Sequence, residues 1–213
     1  MRTFIRGKIE ILFYNYRNLS NESTMTTVVN IELNIQVKEK LNVIKCLCQD
    51  TARKLGKGRD EGVYQKGLGK EFQGMNISYN SEETIPILYD GVGVGYERLD
   101  MGIDAWEGEP FNMILELKAV KDAIKTDHYW QLLSYMNYKK CDYGAVVNFN
   151  QGIDGQPLEL AFLVRHQNNV YIYKLQTGEA ILMKTTDYEA EAIEGRAIDE
   201  CLNGSTKKKA AKV

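Results

Sequence analysis

Asp100, Glu116 and Lys118 are the residues of this chain whose types and spacing point most directly to chemistry. Glu116 and Lys118 stand two apart in the run Ile114-Leu115-Glu116-Leu117-Lys118-Ala119-Val120. In a strand that spacing puts both on one face and leaves the apolar neighbours on the other. Two charges on a buried strand are costly unless they pair or bind a metal. Asp100 falls on the preceding strand, which an antiparallel hairpin brings across from Glu116. Converging carboxylates repel one another, and a divalent cation relieves the repulsion. Mg2+ or Mn2+ would suit such a site, polarising a phosphate and lowering the pKa of a water. Lys118 would orient that water, help deprotonate it, or offset the developing negative charge. The plain alternative is a surface ion pair, since such tripeptides are common.

Other polar residues surround this set. Asp104 has the parity of Asp100, but four residues of strand span ~13 Å, so the two cannot both face Glu116. Asp104 lies nearer a turn, where acids are common, and Asp100 is preferred. Glu61, Tyr64 and Leu68 share a helical face, with Glu61 either a further ligand or a first-turn acid favoured by the helix dipole. Gln131 and Tyr135, four apart, suit contacts to phosphate and base, or an ordinary amphipathic helix. Gly91-Val92-Gly93-Val94-Gly95 lacks the Lys-Ser/Thr of a phosphate loop. His128 and His166 have no ligand-like spacing, and Cys46-x-Cys48 offers two of the four ligands zinc requires.

These residues need a scaffold of helices and strands. Val37, Leu41, Ile44, Cys48, Ala52 and Leu55 form one apolar helical stripe that Gly56 and Gly58 end. A second helix is predicted over residues 60–72. Residues 77–79, 84–89, 96–103 and 111–120 read as strands, with turns at Asp90-Gly91 and over residues 107–110. A helix over 127–140 follows, then a buried strand over 143–149, a hairpin from strands 158–164 and 170–175, and a strand at 180–183. Residues 187–201 read as helical and the Lys-rich tail as disordered. The first 30 residues read as an extension, either preceding a start at Met25 or adding a strand and loop.

The 213 residues amount to one domain with decorations, and a 44% hydrophobic content supports a real core. A net charge of −2 argues against a nucleic-acid coat protein but leaves room for a basic groove. No apolar stretch approaches the ~20 residues of a membrane span, and no signal peptide is read. The four cysteines show no paired clusters, which points to reduced thiols and an intracellular compartment, cytoplasmic or nuclear.

In order, Gly58-x-x-Glu61-x-x-Tyr64, Arg98-Leu99-Asp100, residues 114–120, Gln131-Leu132-Leu133-Ser134-Tyr135 and Val147-Asn148-Phe149 resemble the GxxExxY family of the PD-(D/E)xK nuclease superfamily. The resemblance implies an α/β (α+β mixed-sheet) class with a restriction-endonuclease-like core of order αβββαβ. An N-terminal helix and a C-terminal β-rich extension would flank that core. The nuclease-like domain is expected over residues 31–185, between an extension at 1–30 and a C-terminal helix and tail at 186–213. The resemblance assigns metal binding to Asp100, Glu116, Glu61 and Leu117, catalysis to Asp100, Glu116 and Lys118, and substrate contact to Gln131, Tyr135 and Tyr64. Gln131 and Tyr135 resemble the QxxxY element of RecB-like members, associated with DNA-end processing. The implied activity is Mg2+- or Mn2+-dependent hydrolysis of DNA phosphodiester bonds, at ends or single-stranded regions. The alternative is a non-catalytic interaction module keeping the same fold. One departure is the 104–112 hairpin, which reads as longer than the family's.

Overall fold

The computed structural model describes residues 11–13, 27–89, 92–152, 157–167 and 169–182. The expectations for Met25, the Asp90-Gly91 turn, the 187–201 helix and the Lys-rich tail lie outside these residues. The chain runs β1 (Ile11–Phe13), β2 (Thr27–Asn30), α1 (Ile35–Leu55), α2 (Glu61–Gly74), β3 (Ile77–Tyr89), β4 (Val92–Trp106) and β5 (Glu109–Lys118). It continues through α3 (Thr126–Lys139), β6 (Tyr143–Asn148), β7 (Glu159–His166), β8 (Asn169–Tyr173) and β9 (Glu179–Leu182). The fold is mixed α/β. One nine-stranded sheet has the order β1-β2-β9-β8-β7-β6-β5-β4-β3. Among the described strands, β5 and β6 form the one parallel pair. Their connection carries α3, as a parallel crossover requires.

Strand alternation divides the core in two. Leu115 and Leu117 of β5, with Ala145 and Val147 of β6, pack with Leu41, Ile44, Cys48, Leu68 and Phe72 of α1 and α2. Ile114 and Val146, one step along each strand, pack instead with Leu132, Leu133, Tyr135 and Met136 of α3. Both sheet faces are thus covered at β5 and β6, which is why these strands read as unbroken apolar runs. The α1 stripe is centred as its periodicity predicts, with Asn34 Oδ1 accepting the Gln36 N–H at 2.8 Å to cap it.

Three differences from the sequence reading follow from pairing. β3 is continuous from Ile77 to Tyr89, because β4 gives polar Asn80, Ser81 and Glu83 ladder partners. The 104–112 hairpin is mostly strand: β4 runs to Trp106, and Glu107 (φ 52) and Gly108 (φ 85) make the turn. Residues 11–13 and 27–30, drawn outside the 31–185 domain and left open as an added strand and loop, are strands of the same sheet, and β2 pairs with β9. Among the described residues, no helix is long and apolar enough to cross a membrane.

α3 lies close on β6 at Gly144. A Cβ there would sit 2.7 Å from Met136 Sδ and 3.0 and 3.1 Å from the two Leu132 methyls. Gly144→Ala is expected to destabilise the fold by about 1–3 kcal/mol through overpacking. Urea denaturation checks this, and an unchanged midpoint would contradict the close approach.

Candidate active site

β4 and β5 bring the acids together. Their register pairs Met101 with Leu115 and Gly102 with Ile114, and Asp100 and Glu116, the next residues along each strand, interact electrostatically. Glu116 and Lys118 share a face, and Lys118 Nζ donates to Glu116 Oε1. The pair does not sit at the surface: Glu116 is 0% exposed and Lys118 17%. Asp100 Oδ2 accepts the Leu117 N–H at 2.7 Å. Asp104 is occupied elsewhere, accepting from Asn80 Nδ2 at 2.5 Å beside a register shift in β4.

The electrostatics tie these groups to Glu61 in the first turn of α2. Burial, then the Asp100 charge, push the Glu116 carboxyl up to about 8, against the opposing pull of Lys118. Burial raises Asp100 against the Leu117 N–H and Lys118. Glu61 is raised by burial and then by Asp100, with Lys118 opposing. For Lys118, burial works to lower the pKa, but the charges of Glu116, Asp100 and Glu61 outweigh it and the group is raised. Three carboxylates therefore share one ammonium.

Glu116 Oε2 is buried and has no hydrogen-bond partner. An orphaned carboxylate oxygen amid excess negative charge fits a hard divalent cation. Among the described residues, no three His, Cys, Asp or Glu side chains are gathered at ligating distance. Asp100 and Glu116 are the side chains that would hold such an ion, with Glu61 a further donor. Leu117 has only its backbone carbonyl to offer. The Lys118 carbonyl bonds the Phe149 N–H beyond β6, so the Leu117 groups, one step along, face the Asp100 side.

The remaining expected residues are engaged within the chain. Tyr64, 1% exposed, donates to the Gly56 carbonyl at 2.5 Å and stacks on Phe149, with ring centroids 4.4 Å apart. Gly58, at φ +80, turns its N–H onto Gln151 Oε1 at 2.5 Å, a backbone conformation that favours glycine. Together they dock the loop before α2 onto the segment after β6. Tyr135, 1% exposed, donates to the Arg98 carbonyl at 3.2 Å and accepts from Gln131 Nε2 at 3.0 Å. Tyr64 and Tyr135, both expected to contact substrate, thus make backbone ties that position neighbouring segments.

Two residues have roles that the sequence reading did not assign. Asn148 is fully buried; its amide accepts from the Val120 N–H at 3.1 Å and donates to the Asp122 carbonyl at 2.9 Å, fixing the turn after Lys118. Gln65 donates to both Glu82 and the Asp100 carbonyl. The available signals were a polar residue closing an apolar strand and an amide one helical turn after Glu61.

Against this geometry, the sequence profile of the PD-(D/E)XK nuclease superfamily matches residues 15–157, which include every site residue above. The chain belongs to the PD-(D/E)XK nuclease superfamily. No curated protein and no solved structure matches it. PD-(D/E)XK nucleases usually use divalent metals such as Mg2+, in keeping with the acidic excess around Glu116.

Proposed function

We propose that this PD-(D/E)XK protein is a Mg2+- or Mn2+-dependent nuclease that hydrolyses DNA phosphodiester bonds at ends or in single-stranded regions. The observation that carries the reading is the orphaned Glu116 Oε2 in a cluster one cation short of its carboxylates. Asp100 and Glu116 hold the ion, Glu61 contributes from α2, and the Leu117 carbonyl faces the same space. When bound, the cation supplies Lewis-acid polarisation of the phosphate and acidification of water. Glu116 would offer its orphaned Oε2 to the ion while Oε1 keeps Lys118 close, and the ammonium would orient the attacking water or offset charge on the phosphate oxygens. Burial of the cluster strengthens each of these interactions.

The order α2, β3, β4, β5, α3, β6 supports a restriction-endonuclease-like αβββαβ core. Gly58, Glu61 and Tyr64 support membership of the GxxExxY group, and Gln131 with Tyr135 supports a RecB-like character.

The test is purified protein with Mg2+ or Mn2+ on linear, circular and single-stranded DNA. Cleavage that EDTA abolishes is expected, on linear or single-stranded DNA in preference to closed circles. Folded protein that cuts none of them is instead the binding module.

A further inference from the structure

We infer that Gln65 is a positioning residue for Asp100: its amide replaces a missing rung of the β3–β4 ladder and holds the bend that aims the Asp100 carboxylate at β5. The inference rests on the metal-site reading of Asp100 and Glu116.

The bend shows in which core each neighbour enters. Residues two apart in a regular strand share a face. Leu99 packs in the α3 cluster with Ile114, whereas Met101 packs in the α1–α2 cluster with Leu115. A Cβ on Gly102 would lie 3.6 Å from Leu99 Cδ2, so residues three apart come to one side. The alternation therefore breaks at Asp100. The opposite strand breaks too: the ladder pairs Ser81 with Met101 and Glu83 with Leu99, but Glu82 and Asp100 have no partner in it. Glu82 takes φ 59, which side chains other than glycine rarely adopt.

A carbonyl released from a ladder inside the protein must find another donor. Gln65 Nε2 reaches the Asp100 carbonyl at 2.8 Å and Glu82 Oε1 at 2.9 Å. An amide nitrogen carries two hydrogens, so both bonds form together. Gln65 is 8% exposed, and its amide spans both halves of the break. Glu82 Oε2 accepts from Arg98 Nη1 at 2.6 Å, and the Arg98 carbonyl accepts from Tyr135. The bend is held from α2 on one face and from α3 on the other.

The bend decides where the acid points. A regular strand directs side chains perpendicular to its sheet. Asp100 instead reaches sideways to the Leu117 N–H. This holds its carboxylate at the β5 backbone beside Glu116.

The test uses Gln65→Met, which keeps the volume and removes the amide, and Gln65→Asn, whose shorter stem cannot span both bonds. Amide exchange at Leu117 and Leu115 is followed by NMR without metal, and Mn2+ affinity is measured by calorimetry. The expected result is faster exchange at Leu117 by about tenfold or more against an unchanged Leu115, with Mn2+ affinity down roughly 10–100-fold, as for loss of a residue supporting a metal ligand. Wild-type protection of Leu117 in the folded variants overturns the inference, as does uniform loss of protection along β5. A wild type that binds no Mn2+, while Leu117 still responds selectively, overturns the metal-site reading and leaves the positioning of Asp100 standing.

Discussion

Glu116→Gln is expected to lower divalent-dependent DNA cleavage by roughly 10^3-fold or more while leaving the fold intact. The amide keeps the shape of the side chain but removes the charge that a cation requires. It also replaces the ion pair with Lys118, whose carboxylate partner is fully buried, by an uncharged contact. Lys118→Ala is expected to reduce turnover by about 10^2–10^4-fold, the range for a group that handles a proton or transition-state charge. The two variants separate by metal affinity: Glu116→Gln weakens Mn2+ binding, whereas Lys118→Ala strengthens it by removing the competing cation. Cleavage on the preferred DNA, with circular dichroism melts as the folding control, measures both. If either variant cuts within about threefold of wild type, the catalytic assignment fails.

Metal-free wild-type protein is expected to lose stability, relative to Glu116→Gln, as pH rises from 4.5 to about 8. The sign follows from linkage. Below the ordinary carboxyl value Glu116 is protonated in both states and contributes no pH dependence. Above it the unfolded chain ionises while the folded chain keeps its proton, so each pH unit favours unfolding by about 1.4 kcal/mol. Near pH 8 the folded form ionises too and the loss levels off. Across the window the difference amounts to a few kcal/mol, because burial and the Asp100 charge both oppose ionisation. Saturating Mn2+ is expected to reverse it, since ligation displaces the proton. Urea denaturation with EDTA at pH 5 and pH 8 checks the effect, and parallel pH slopes in the two proteins would remove its basis.

Much of the site could be read from residue types because it depends on period-two geometry. Glu116 and Lys118 share a face for the reason their spacing implies, and the β4–β5 hairpin places Asp100 on the neighbouring strand. The crossover helix and both buried strands were likewise visible in their apolar runs. What escaped reading was contact between distant segments through backbone atoms. Tyr64 bonds the Gly56 carbonyl and Tyr135 the Arg98 carbonyl, and a carbonyl leaves no mark in a sequence. β3 read as two fragments because its polar middle is stabilised by its β4 partner rather than by its own propensity. The break in alternation at Asp100 needs Gln65 from α2 and a left-handed Glu82, a conjunction that no local window contains.

That break also separates the spelling of the motif from its operation. Asp100 is aimed by the course of the backbone, so a descendant could keep every acid and the lysine yet fall silent through one change on α2. Motif letters alone would not tell such a chain from one that keeps the bend. Positions 65 and 82 offer the sharper criterion: a chain that has exchanged the amide at one or the carboxylate at the other carries the signature without the means to aim it.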